Sequence, residues 1–271
     1  MNKNFQFNTI YVIESLFDQD EKTGEILFND TIKRNSERTG LFHTKFLSVT
    51  DKTTLIEYLK LINSNSKNQY HPFIHFEIHG SNGKDGLVLN SGELVTWNEL
   101  ADETRQINLT TKNNLVISLA TCYGAYFCKE MNILKAAPFC GCVCATSAIP
   151  TIEIIPRFTI FFETLFETLD FDLAITQLNE ANNFDYRFKF MTCDKLFEDL
   201  FNQMEKEELN VNSIIFENWV NNIAEVLKHS STTFETTPKE QIQYQFRNEL
   251  IRKTSSIKEE LRKSFLIQDL R

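Results

Sequence analysis

The residues able to do chemistry gather at two strand-like ends. Phe73-Ile74-His75-Phe76-Glu77-Ile78 runs into His79-Gly80, and Leu115-Val116-Ile117-Ser118-Leu119-Ala120-Thr121 runs into Cys122-Tyr123-Gly124, with Cys122 placed 43 residues after His79. An imidazole beside a thiol is a base–nucleophile pair suited to acyl transfer. The thiol attacks well only as its thiolate, and a helix beginning just after Cys122 is expected to favour that charge. Gly80 lets the chain turn sharply and leaves its N–H free. That amide and the N–H of Cys122 are the candidate oxyanion donors. Gly124 is expected to allow a tight strand-to-helix turn behind the nucleophile. A lone His-Gly tip is ordinarily the start of a loop, and a lone strand-end cysteine is ordinarily a small buried hydrophobe. It is their pairing on one scaffold that carries the reading.

Two further constellations compete. His71, His75 and His79 recur every four residues, which on a helix would align them for a metal. Pro72 and Gly80 favour a strand, where the outer two stand about 13 Å apart at ~3.3 Å per residue, too far for one ion. Six cysteines are present: Cys122, Cys128, Cys140, Cys142, Cys144 and Cys193. Cys140, Cys142 and Cys144 alternate, so on a strand they share a face. No CxxC spacing or neighbouring histidine marks a zinc site, and buried inert thiols are the simpler reading. No metal or cofactor is expected.

The elements that must position the two tips follow from periodicity. Residues 7–13 read as a first strand and 45–49 as a second. Residues 51–62 form a helix with Asp51 as its cap, and Pro72 opens the third strand. Residues 18–40 read as a polar loop or short helix. A turn-rich loop over 81–86 precedes a hairpin built from 87–89 and 93–97. A helix over 98–107 capped by Asn98 follows, then the strand 114–121, a helix over 123–134 and a strand over 139–146. Helices are predicted over 157–169 and 171–183. From about Asp194 the pattern is helical, broken at Thr236-Thr237-Pro238 before a last helix over 241–266. Alternating strand and helix implies a mostly parallel α/β sheet, and the last 75 residues or so read as an all-helical extension.

Bulk properties narrow the function. A chain of 271 residues with 42% hydrophobic content can bury a full core. Its 24 phenylalanines against 8 glycines and 5 prolines point to an aromatic core with few loops. A net charge of −9 argues against nucleic acid as the main partner. Arg247, Arg252, Lys253, Lys258, Arg262 and Lys263 are interleaved with Glu249, Glu259 and Glu260, a pattern typical of a solvated helix face. No apolar run approaches the roughly 20 residues of a membrane span, and the first residues lack an apolar signal core. A cytoplasmic protein with reduced thiols is expected.

The stretch from Ile74 to Cys128 resembles the caspase-like peptidases, the clan of caspases, metacaspases, legumain, gingipain and separase, and most of all bacterial CHAT domains. The shared pattern is an apolar strand ending in His-Gly, a loop, a short hairpin, a helix, and an apolar strand ending in small-x-Cys-x-Gly. Here it is carried by His79-Gly80, Gly86-Leu87-Val88-Leu89, Glu93-Leu94-Val95-Thr96, Leu100 and the run from Leu115 to Gly124. The likeness covers roughly residues 5–190. It implies a caspase–haemoglobinase-like fold, with a peptidase domain over 1–190 and a helical C-terminal extension over 191–271. It implies His79 as general base, Cys122 as nucleophile, the Gly80 amide as an oxyanion donor and no obligatory third acid. The activity implied is that of a cysteine endopeptidase on a protein substrate, working in bacterial signalling, defence or cell death and switched by a partner or ligand that the helical extension can receive. A catalytically inactive scaffold on the same fold is the alternative. Metacaspases carry Asp two residues before the nucleophile, where this chain has Ala120, and the caspase Gln-Ala-Cys-x-Gly context is also missing, so P1 preference stays open. Glu77, Asp85 and Ala120 are the candidate substrate-contacting residues, with a paired strand residue and a turn former as the plainer readings of the first two.

Overall fold

The structure is a computed structural model that describes residues 6–180, 188–207, 241, 244, 245, 248, 256 and 258–268. In chain order it contains β1 (Thr9–Ser15), α1 (Thr23–Leu27), a π-helical turn (Phe28–Lys33), α2 (Arg34–Thr39), β2 (His43–Ser48) and α3 (Lys52–Ser66). Next come β3 (Pro72–Gly80), the β4 (Gly86–Val88) and β5 (Leu94–Thr96) hairpin, α4 (Trp97–Thr110) and β6 (Val116–Leu119). A 3-10 helix (Gly124–Glu130), β7 (Gly141–Ala145), α5 (Thr151–Thr168), α6 (Phe171–Glu180), β8 (Phe188–Thr192) and α7 (Cys193–Glu207) complete the described part of the series.

The main sheet runs in the order β2-β1-β3-β6-β7-β8, with the β4–β5 hairpin attached to β3. Pairings from β2 through β7 are parallel and β8 closes the edge antiparallel. This is the mostly parallel α/β sheet flanked by helices that the sequence predicts, consistent with a caspase-like arrangement of helices around a sheet. Both sheet faces are covered, which is why the central strands are near-continuous apolar runs. On one face Ile13, Ile74, Phe76, Ile117, Leu119, Cys142 and Cys144 pack with residues of α3, α4 and α7. On the other, Ile10, Val12, Phe73, Val116, Val143 and Ala145 meet the phenylalanines of α5 and α6.

Several boundaries differ from expectation for identifiable reasons. The helix expected over 123–134 is only a seven-residue 3-10 helix, entered through Tyr123 in the left-handed region (φ 60°). Helix α4 is capped by Thr96 rather than Asn98: Thr96 and Glu99 form a reciprocal capping box. The polar stretch 18–40 holds three contiguous helical segments. Helix α5 begins six residues before its predicted start and includes Pro156. Strand β8 was not foreseen. Asp51 does cap α3, accepting the Thr54 N–H at 2.9 Å.

Of the predicted helical extension, α7 and residues 258–265 are described as helical. They join the sheet's core: Phe265 is 5.5 Å from Phe197, and Ala137 N–H donates to the Phe265 carbonyl. Arg262 and Lys258 pair with Glu198. The break at Thr236-Thr237-Pro238 and most of the predicted last helix lie outside the described residues. No helix among the described residues is long and apolar enough to cross a membrane.

Candidate active site

Face parity decides where the chemistry sits. The alternation of β3 sends Ile74, Phe76 and Ile78 to one core and Phe73 and His75 to the other, where His75 meets Phe158 and Phe162 edge-on. The same alternation puts Val116 and Ala120 on the α5 face. This face changes character along the strands, from apolar at Ile10, Phe73 and Val116 to polar at Glu14, His75, Glu77 and Ser118. Ser118 Oγ lies 2.6 Å from His75 Nδ1, His75 Nε2 lies 3.1 Å from Glu77 Oε1, and Thr23 donates to Glu77 Oε2 at 3.0 Å. Glu14 accepts the N–H groups of Gly24 and Glu25, so it terminates α1 at its start. Burial raises the Glu14 pKa, against the pull of those two amides.

Beyond this polar layer the strand tips open onto a cavity of about 110 Å³. It is lined by residues of the β1–α1 segment including Asp20 and Glu21, by Glu77 and His79 of β3, by Ala120 and Cys122 after β6, and by Ile149, Thr151 and Ile154 at the start of α5. The chain leaves β1 for β2 on one side and returns to β3 on the other, so the cavity lies at the carboxyl ends of the strands where the order reverses. In open α/β sheets that is where ligands bind.

Strands β3 and β6 are direct parallel neighbours, and Thr121 Oγ1 donates to the Ile78 carbonyl at 2.9 Å, tying the two tips together. Gly80 is pressed against the Cys122 backbone. A methyl group there would lie 2.0 Å from the Cys122 carbonyl oxygen. Gly80 also pairs with Leu87, while Ser81 N–H bonds the Gly86 carbonyl. Antiparallel ladders alternate, so Gly80–Leu87 is a pair without mutual hydrogen bonds and its N–H is directed away from β4, to the edge where Cys122 lies. Lys84 stands 4.8 Å over the Tyr123 ring and further couples the two loops.

Cys122 Sγ accepts the Ile149 N–H at 3.3 Å. The sulfur thus receives its hydrogen bond from this loop amide, not from the start of a long helix as expected. Gly124 has a different task from the one anticipated. The positive φ belongs to Tyr123, whereas Gly124 makes room for Leu119, whose Cβ would lie 3.1 Å from an added methyl.

Of the other candidates, Glu77 and Ala120 reach the cavity. Asp85 does not line it; it accepts from Ser81 Oγ within the loop, a turn-forming role. His71, His75 and His79 have separate surroundings: His75 bonds Ser118 and Glu77, and His79 bonds Asp20. Cys140, Cys142 and Cys144 share the opposite core, as their alternation implied, and burial pushes the Cys142 thiol up.

One residue at the site was missed. Asp20 Oδ2 lies 2.7 Å from His79 Nε2, and the Phe17 ring stacks on the imidazole at 5.0 Å. The bond to His79 is the main reason the Asp20 carboxyl is held below its usual pKa.

The fold and site define a mostly parallel α/β protein with a histidine and a cysteine at one cavity. No protein-family model matches the chain, and no curated protein matches it.

Proposed function

We propose that the chain is a cysteine endopeptidase of the caspase-like type, acting on a protein substrate through His79 and Cys122. The observation that carries this reading is the meeting of the two side chains at one cavity, delivered from adjacent parallel strand tips, with the Gly80 backbone packed on that of Cys122. In the proposed reaction His79 takes the Cys122 proton and the thiolate attacks the scissile carbonyl carbon. The N–H groups of Gly80 and Cys122 receive the developing oxyanion. The C–N bond breaks as His79 returns the proton to the leaving amine, and water activated by His79 then hydrolyses the thioester. A regulated role in bacterial signalling, defence or cell death accompanies the sequence resemblance, and the α7 and C-terminal helical part is the proposed place for an activating partner.

The test is an active-site-directed electrophile followed by a proteome-wide cleavage-site profile. Stoichiometric labelling should vanish in Cys122→Ala and slow strongly in His79→Ala. Cleavage sites should appear with wild type and be absent with Cys122→Ala. An unreactive Cys122, or identical cleavage in both samples, sinks the enzyme reading and leaves a scaffold on the same fold.

A further inference from the structure

The segment between β1 and α1 is tightly organised for a surface loop. Lys22 Nζ donates to the carbonyls of Leu16 and Phe17, at 2.9 and 2.7 Å. Asp20 N–H donates to the Phe17 carbonyl at 3.0 Å, and Asp20 Oδ2 accepts the Phe17 N–H at 2.9 Å. These bonds close a ring of chain whose two inward features both face His79: the Asp20 carboxylate at the ring edge and the Phe17 side chain across the ring face. The carboxylate fixes one imidazole nitrogen, and the stacked ring opposes rotation out of that plane.

An ionised carboxylate only accepts hydrogen bonds, so the 2.7 Å contact places a proton on His79 Nε2. A neutral imidazole protonated there presents Nδ1 as its free lone pair. No described residue hydrogen-bonds Nδ1. We propose that Asp20 is a positioning residue that holds His79 in the Nε2–H tautomer, making Nδ1 the nitrogen that takes the Cys122 proton. This rests on the cysteine-hydrolase chemistry proposed above, and it adds a third member to what the sequence resemblance implies is a dyad.

The step balances simply. The Cys122 S–H bond breaks, its electron pair stays on sulfur and its proton goes to Nδ1. The resulting imidazolium keeps Nε2–H on Asp20, whose negative charge stabilises it and so favours the thiolate. The charged groups nearby come from two elements: the β1–α1 segment adds Glu21 and Lys22 and β3 adds Glu77, whereas α5 lines the cavity with the uncharged Thr151 and Ile154.

The test measures alkylation of Cys122 by iodoacetamide across pH in the full chain, read by mass spectrometry of the Cys122 peptide to separate it from the other thiols. In Asp20→Asn the profile should move up by about one pH unit, an approximately tenfold slower reaction at neutral pH, the low end expected for an opposite charge at a partly exposed site. Asp20→Glu should restore part of the shift, and His79→Ala should abolish the low-pH limb. If His79→Ala slows Cys122 while both Asp20→Asn and Asp20→Ala overlay wild type, the positioning role is wrong and the His–Cys reading survives. If wild-type Cys122 reacts no faster than an ordinary thiol, the hydrolase reading itself fails and takes this inference with it. Nitrogen-15 NMR of the imidazole gives a readout independent of reactivity: the Nε2–H tautomer is expected, and an Nδ1–H tautomer overturns the proposal.

Discussion

Replacing Gly80 by alanine is the sharpest probe of how the two strand tips are held. The added methyl would stand 2.0 Å from the Cys122 carbonyl oxygen, 2.9 Å from its carbon and 3.2 Å from its Cβ. All but the last are backbone atoms that cannot swing aside. Since side-chain carbons do not approach neighbours closer than 3.0 Å, the tips must part by about 1 Å, an overpacking strain on the order of 1–3 kcal/mol. Displacement on that scale between reacting groups costs roughly a hundredfold in rate. Gly86→Ala serves as the control, because its methyl would meet the Val95 carbonyl oxygen at 2.1 Å, within the hairpin rather than at Cys122. Urea unfolding should show both variants destabilised by similar amounts. Alkylation of Cys122 should slow strongly in Gly80→Ala and much less in Gly86→Ala. Wild-type labelling and stability in Gly80→Ala would refute the close approach of the tips.

Glu14 predicts a pH dependence of stability. Its folded pKa is raised by burial, so its contribution is full below the ordinary glutamate range and is lost as pH rises through the raised value. Glu14→Gln should therefore gain on wild type in urea midpoints between about pH 4 and 8, and parallel curves would reject this. His75→Ala should lower stability by about 3 kcal/mol, because it leaves the wholly buried Glu77 carboxylate without one of its two partners. A loss within a few tenths, measured by chemical denaturation, would reject the His75–Glu77 contact as a stabilising one. Thr96→Ala should cost about 1 kcal/mol while Asn98→Ala is nearly silent; equal effects would contradict Thr96 as the cap of α4.

The parts of the fold legible in the sequence are those where local pattern and burial agree. The runs ending at His79 and Cys122 read as strands because β3 and β6 are buried on both faces, so their apolar residues are uninterrupted. The hairpin between them was marked by Gly86 and Asn90-Ser91-Gly92. Strand β8 escaped because Phe188-Lys189-Phe190-Met191-Thr192 is a short, partly exposed edge strand next to a strong helical pattern. The Thr96 cap left a signal, Thr96 followed three residues later by Glu99, but it was absorbed into the strand before it. At the site, parity could have placed Glu14, His75, Glu77 and Ser118 on the face that carries His79. Asp20 had no such marker. It stands among Asp18, Glu21 and Glu25 in a polar stretch, and only tertiary structure shows which carboxylate reaches back to a histidine 59 residues away.

The position of the site in the middle of the sheet sets how long each part of it persists. Strands β1, β3 and β6 each have a neighbour on both edges, so separating the tip of β3 from that of β6 means opening the sheet at its centre. Such openings approach the cost of global unfolding. The β1–α1 segment lies outside the sheet, held by its own ring of hydrogen bonds and by its contacts with His79 and Asn90, so its opening does not require that of the sheet. His79 and Cys122 therefore share the lifetime of the whole fold, while Asp20 and Phe17 keep a shorter clock of their own. A molecule that pressed on this segment would change the histidine's environment and leave the cysteine where it stands.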